Sequence, residues 1–99
     1  MYGTVARVRV RPGGVERLKA LSQQFMARNV PGHVMTLVYQ MDDDPQSVWL
    51  AVAFDSKASY VANAESPAQN DWYEQMSREL EAAPEWHDGE IVDYLKGGA

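Results

Sequence analysis

His33-Val34-Met35-Thr36-Leu37-Val38-Tyr39-Gln40-Met41 and Ser47-Val48-Trp49-Leu50-Ala51-Val52-Ala53-Phe54, joined by Asp42-Asp43-Asp44-Pro45, decide the fold. Both segments are rich in β-branched and aromatic residues, and the acidic, proline-containing link between them is turn chemistry, so together they read as a β-hairpin. Met35, Leu37 and Tyr39 alternate with Val34, Thr36 and Val38, while Trp49, Ala51 and Ala53 alternate with Val48, Leu50, Val52 and Phe54. Both faces are therefore apolar. A hairpin with one wet face would read polar on that face. Helices can cover one side, and a second copy of the chain is expected to cover the other.

Working outward, Thr4 to Arg11 alternates with the period of a strand: Ala6, Val8 and Val10 point one way, and Arg7, Arg9 and Arg11 the other. Pro12-Gly13-Gly14 breaks it. From Val15 the period becomes helical, with Val15, Leu18, Leu21, Ser22 and Phe25 on one side, until Pro31-Gly32 stops the helix after Asn29. Beyond the hairpin, Asp55 or Ser56 can cap a short helix running to about Ala64. Ser66-Pro67 then opens a third helix, with Ser as cap and Pro at the first position. Trp72, Met76 and Leu80 form its inner stripe, and it is expected to end before Pro84. His87 to Leu95 reads as a last strand. The expected fold is α+β: a ferredoxin-like β-α-β-β-α-α-β antiparallel sheet with helices on one face, closing as a dimeric α+β barrel. One domain over residues 1–99 is expected, with an ordered core of about 4–95.

The 99 residues are 45% hydrophobic and 23% charged, the composition of an ordinary globular chain. A net charge of −5 argues against nucleic acid or an anionic membrane as partner. The absence of cysteine excludes disulfides, thiolate nucleophiles and cysteine-ligated metals. No signal peptide is visible, and no apolar run approaches the roughly 18 residues of a membrane span. A cytoplasmic location is expected. His33 and His87 belong to no metal-ligand spacing, and neither a nucleotide loop nor a catalytic triad is present, so no metal and no cofactor are expected.

Phe54-Asp55-Ser56-Lys57-Ala58-Ser59-Tyr60 followed by Ser66-Pro67, with Pro31-Gly32 before the second strand and Pro84-Glu85-Trp86 before the last, resembles the antibiotic biosynthesis monooxygenase family. The resemblance covers roughly Thr4 to Leu95 and is architectural. It implies a homodimer with one pocket per subunit, between sheet and helices. Some members of the family oxidise polycyclic phenols to quinones with molecular oxygen and no metal or flavin, and others degrade haem. The haem-degrading members carry an Asn, a Trp and an iron-ligating His where this chain has Arg7, Asn63 and Tyr73, so haem breakdown is disfavoured. The quinone-forming members carry an Asn, a Trp and a Tyr where this chain has Leu50, Phe54 and Tyr60. Only the tyrosine is kept.

Tyr60 and Arg7 are the candidate catalytic residues, Tyr60 as a hydrogen-bonding phenol and Arg7 as a stabiliser of developing negative charge. Arg9, Asn63, Trp72, Tyr73, Met76 and Phe54 are the candidate substrate-binding residues. Each has a plainer reading: Tyr60 seals its helix to the sheet, the third-helix residues are core, and the arginines form a ladder with Glu90 or Asp93. Alternation fixes which residues share a face, not which face it is. If Ala6, Val8 and Val10 face the helices, Arg7 and Arg9 leave the pocket and pair with acids on the other side. Two functions stay open: a cofactor-independent monooxygenase acting on a phenolic or polycyclic aromatic compound, or a non-catalytic dimer that binds a small aromatic or acidic molecule.

Overall fold

The computed structural model describes residues 1–98, with β1 at Tyr2–Arg9, α1 at Val15–Ala27, β2 at His33–Gln40 and β3 at Ser47–Phe54. After these come α2 at Lys57–Ala64, α3 at Pro67–Ser77 and β4 at Glu85–Glu90. The four strands form one antiparallel sheet in the order β2-β3-β1-β4, the ferredoxin-like arrangement with β1 inside.

Local chemistry sets the element ends. At the hairpin tip, Asp44 Oδ1 accepts from Gln46 N at 3.1 Å, so the acidic turn is closed by its own side chain. Ser56 caps α2 by accepting from Ser59 N, and Ser66 caps α3 by accepting from Gln69 N, with Pro67 in the first turn. Gly32 has φ 82°, and a Cβ there would lie 2.4 Å from Ser59 Cβ, so only glycine lets the loop before β2 press against the start of α2.

Ala6, Val8 and Val10 of β1 join Val48 and Leu50 of β3, Leu18 and Leu21 of α1, Met76 and Leu80 in one buried cluster. Full burial of a Leu or Met side chain stabilises by about 1.5–3 kcal/mol, so this shared layer is what fixes the helices to the sheet. The helices thus lie on the Ala6-Val8-Val10 face. On the other face Val5 pairs across to Ala51 and Ala51 to Leu37, and next to them Arg7, Trp49 and Tyr39 make a second row. Val5, Leu37 and Tyr39 are 48%, 43% and 49% exposed there, a large apolar area for a strand surface.

Two ends differ from the sequence reading. The helical stripe through Leu80 stops early, at Ser77: Glu79 N and Leu80 N still bond back to Met76 O and Ser77 O in a tight last turn, but Glu79 O and Glu81 N turn to the end of β1. Arg11 N donates to Glu79 O at 2.9 Å and Glu81 N to Arg9 O at 2.8 Å, and Leu80 is buried opposite Val10. The last strand spans Glu85–Glu90 rather than His87–Leu95, because its register on β1 brings Glu90 opposite Tyr2, where β1 ends. Ile91 N makes one more bond, to Met1 O at 2.8 Å, and the chain then leaves the sheet with Val92 92% exposed. Among the described residues no helix is long and apolar enough to cross a membrane.

Candidate functional site

A cavity of about 430 Å³ opens between the helix-facing side of the sheet and the helices. Its floor is Thr4 of β1, Thr36 of β2, Leu50, Val52 and Phe54 of β3, and Trp86 and Asp88 of β4. Its roof is Phe25 of α1, Tyr60 and Asn63 of α2, and Gln69, Trp72 and Tyr73 of α3. Size and lining match a small-molecule site: mostly aromatic and aliphatic walls with a few placed polar groups.

The aromatic wall is built edge to face. Phe54 is 1% exposed and meets the rings of Tyr60 at 5.6 Å and His33 at 5.5 Å. Phe25 meets Trp72 at 5.9 Å, and the Trp72 indole is locked by its Nε1 donating to Leu21 O at 2.7 Å. Tyr73 and Trp86 lie 6.2 Å apart on the opposite side. His33 is held below the usual histidine range by burial among these rings and is therefore a neutral imidazole, with Nε2 2.7 Å from Thr36 Oγ1.

The polar group that stands out is Tyr60 with Asp88. The Tyr60 hydroxyl donates to Asp88 Oδ1 at 2.8 Å. Burial, and next the hydrogen bond to this carboxylate, push the phenol up to about 12, so it is a firm donor and never a base near neutral pH. Thr4, directly across the β1–β4 ladder from Asp88, has a buried Oγ1 beside the Tyr60 hydroxyl, with which it interacts. Among the described residues no three metal-ligating side chains converge.

Of the sequence-derived candidates, Phe54, Tyr60, Asn63, Trp72 and Tyr73 line this cavity. Met76 does not. It is 0% exposed and packed in the core with Leu18 and Val48, one helical turn too deep to reach the space. Arg7 and Arg9 are corrected as well. Because Ala6, Val8 and Val10 take the helix-facing side, both arginines project from the opposite face, where no part of the cavity lies. Arg7 Cζ sits 6.0 Å from the Trp49 ring centre. Arg9 bonds to Asp44 at 2.8 Å and approaches Glu81 at 3.5 Å, so its partners are the hairpin tip and the segment after α3, not Glu90 or Asp93. No Arg or Lys is in the lining, so an acidic ligand would meet no cation directly.

The profile of the antibiotic biosynthesis monooxygenase family matches residues 1–75. The chain belongs to that family. A protein from Chloroflexus aurantiacus J-10-fl, provisionally named an antibiotic biosynthesis monooxygenase, is 27% identical, with 98% of each chain covered and a TM-score of 0.78. One from Nitrosomonas europaea, named in the same provisional way, is 18% identical over 94% of this chain and 100% of that one, with a TM-score of 0.75. A third, from Caulobacter crescentus CB15, is 15% identical over 93% and 90%, with a TM-score of 0.79. The last two share the fold. No curated protein sequence matches the chain.

Asp88, Thr4, Gln69 and Trp86 were not legible as site residues of this family member from sequence alone. Trp86 and Asp88 alternate on one face of β4, but the register that sets Asp88 opposite Thr4 is a long-range pairing. The one local signal was Trp86-His87-Asp88, an aromatic and an acid two apart on a short strand.

Proposed function

We propose that the cavity binds a phenolic or polycyclic aromatic compound, and that the protein is a cofactor-independent monooxygenase that oxidises it with molecular oxygen. The reading rests on one observation: a carboxylate, Asp88, sits at an aromatic cavity and is hydrogen-bonded by a phenol, Tyr60, that will not give up its proton. A substrate phenol reaching Asp88 is more acidic than Tyr60, so the substrate loses its proton first. Tyr60 is then a donor to the resulting phenolate. Proton removal is easiest from a phenol whose anion is delocalised over fused rings.

In this scheme the phenolate gives one electron to oxygen, and the superoxide so formed recombines with the aryloxyl radical at the ring carbon para to the phenolic oxygen. Protonation yields a hydroperoxide. Loss of water, taking the hydrogen on that carbon and cleaving the O–O bond, leaves a quinone. One phenol and one dioxygen become one quinone and one water. The aromatic wall keeps bulk water from the anion and offers flat stacking surfaces.

The reading includes a homodimer. Val5, Leu37 and Tyr39 are about half exposed around Trp49 and Ala51 on the helix-free face, and a second copy of the same face would cover them.

Oxygen uptake with a panel of dihydroxynaphthalenes and anthrones tests the function. Wild type should consume oxygen in step with quinone absorbance, and Asp88→Asn should lower the rate by about 10²–10⁴, the range for a lost general base, with binding retained. Binding without oxygen uptake in wild type would refute the enzyme and leave the non-catalytic binding dimer as the function.

A further inference from the structure

Arg28 closes α1 and reaches across to the junction of α2 and α3, where it makes three hydrogen bonds. Its Nη1 donates to Ala68 O at 3.1 Å, and its Nη2 donates to Asn63 Oδ1 at 3.1 Å and Gln69 Oε1 at 3.2 Å. The guanidinium is steadied by the Phe25 ring, whose centre lies 5.1 Å from Cζ. A guanidinium has donors only. Each carboxamide must therefore turn its oxygen to Arg28, and the orientation of both amides is dictated by chemistry rather than by choice of atom labels. Asn63 and Gln69 both line the cavity, and among the described residues neither amide nitrogen has a hydrogen-bond partner.

We infer that Asn63 and Gln69 present their two amide N–H₂ groups as a donor pair for an oxygen acceptor on the ligand, and that Arg28 is the positioning residue that holds them in this orientation. Asn63 stands one turn along α2 from Tyr60, so the donor pair and the Tyr60–Asp88 pair are separate stations of one cavity. One station takes a phenolic hydroxyl, the other a carbonyl oxygen. The ligand class is then a phenol that carries a second, carbonyl oxygen away from its hydroxyl. The positive charge of Arg28 behind the amides also favours any negative charge that spreads from the phenolate onto that carbonyl.

The inference rests on reading the cavity as a phenol site, and a matched pair of probes separates the two. 6-Hydroxy-1-tetralone and 5,6,7,8-tetrahydro-2-naphthol share a phenol and a skeleton and differ by a carbonyl in place of a methylene. Wild type should bind the ketone about tenfold more tightly, the worth of one to two neutral hydrogen bonds. Arg28→Met keeps an unbranched side chain of similar length but removes the guanidinium and frees both amides to rotate, and should bring the ratio close to one while affinity for the carbonyl-free phenol stays within about twofold, since none of its contacts is touched. Gln69→Met leaves Arg28 with Asn63 and Ala68 and should remove part of the preference, a result that holds whether or not Arg28→Met folds. Equal binding of the two probes by wild type, or a preference that survives both substitutions, overturns the donor pair and leaves the phenol site standing. Failure of wild type to bind either probe overturns both.

Discussion

Tyr60→Phe removes a single hydroxyl while keeping the ring against Tyr2 at 5.2 Å and Phe54 at 5.6 Å. What is lost is the 2.8 Å hydrogen bond to Asp88. A hydrogen bond to a charged acceptor contributes about 1.5–3 kcal/mol net, and because Asp88 is solvent-exposed the lower figure, about 1.5 kcal/mol, applies here. The pH dependence carries more information than the size. Folding raises the phenol from 10.0 to about 12, first through burial and then through Asp88. Between those values the unfolded chain has released the Tyr60 proton and the folded chain has not. The unfolded state then binds fewer protons, and stability falls as pH rises. A full shift of this size corresponds to about 2.7 kcal/mol, and solvent access to the ring reduces it to about half.

The advantage of wild type over Tyr60→Phe should therefore be constant below about pH 10 and shrink toward zero as pH approaches about 12. Urea unfolding of both proteins, followed by tryptophan fluorescence at several pH values from about 8 to about 11.5, measures it. Taking the difference between the two proteins cancels the remaining tyrosines and the lysines. A difference that stays flat across that range, or grows, would refute a buried phenol donating to Asp88.

Two further outcomes follow from the sheet. Gly3→Ala should destabilise by about 3 kcal/mol or more, since the added Cβ would lie 1.8 Å from Val52 O, a backbone atom that cannot step aside; an unchanged urea midpoint would contradict the β1–β3 register. Leu37→Asp should leave a folded subunit, because Leu37 is 43% exposed within one chain, yet weaken association by several kcal/mol by burying an unpaired charge. Sedimentation should show wild type at twice the 11.1 kDa chain mass and the variant at that mass; a wild-type monomer, or a variant that still pairs, would rule out this face.

The fold was legible because period and punctuation agreed along most of the chain. Ser66-Pro67 announces α3 by capping chemistry alone, and the two-sided apolar pattern of β2 and β3 marks a sheet face that the helices leave bare, although β2 itself lies at the sheet edge. The elements that were misplaced are those whose ends are set by pairing far away in sequence. Leu80 satisfies a helical stripe, yet the backbone around it finds better partners on β1. Ile91-Val92-Asp93-Tyr94-Leu95 has the composition of a strand, but a strand exists only where a neighbour offers hydrogen bonds, and past Tyr2 the neighbouring chain offers Ile91 one bond, at Met1 O.

The candidate site shows the same divide with a chemical consequence. Alternation grouped Arg7 with Arg9, but two apolar-looking faces gave no way to tell which one the helices would choose. Once Ala6, Val8 and Val10 take the helix side, the charge facing the cavity changes sign: arginine leaves and Asp88 enters. A site with an arginine would hold a ligand already ionised in water. A site with a carboxylate repels that anion and favours a neutral phenol, whose proton is removed only after binding, next to a tyrosine that keeps its own. On the proposed function, charge on the ligand would then develop inside the aromatic wall rather than being carried into it, at the point where oxygen would meet it. Neutral donors such as Asn63 and Gln69 suit that order of events, because they hold an uncharged ligand on arrival and strengthen as the anion forms.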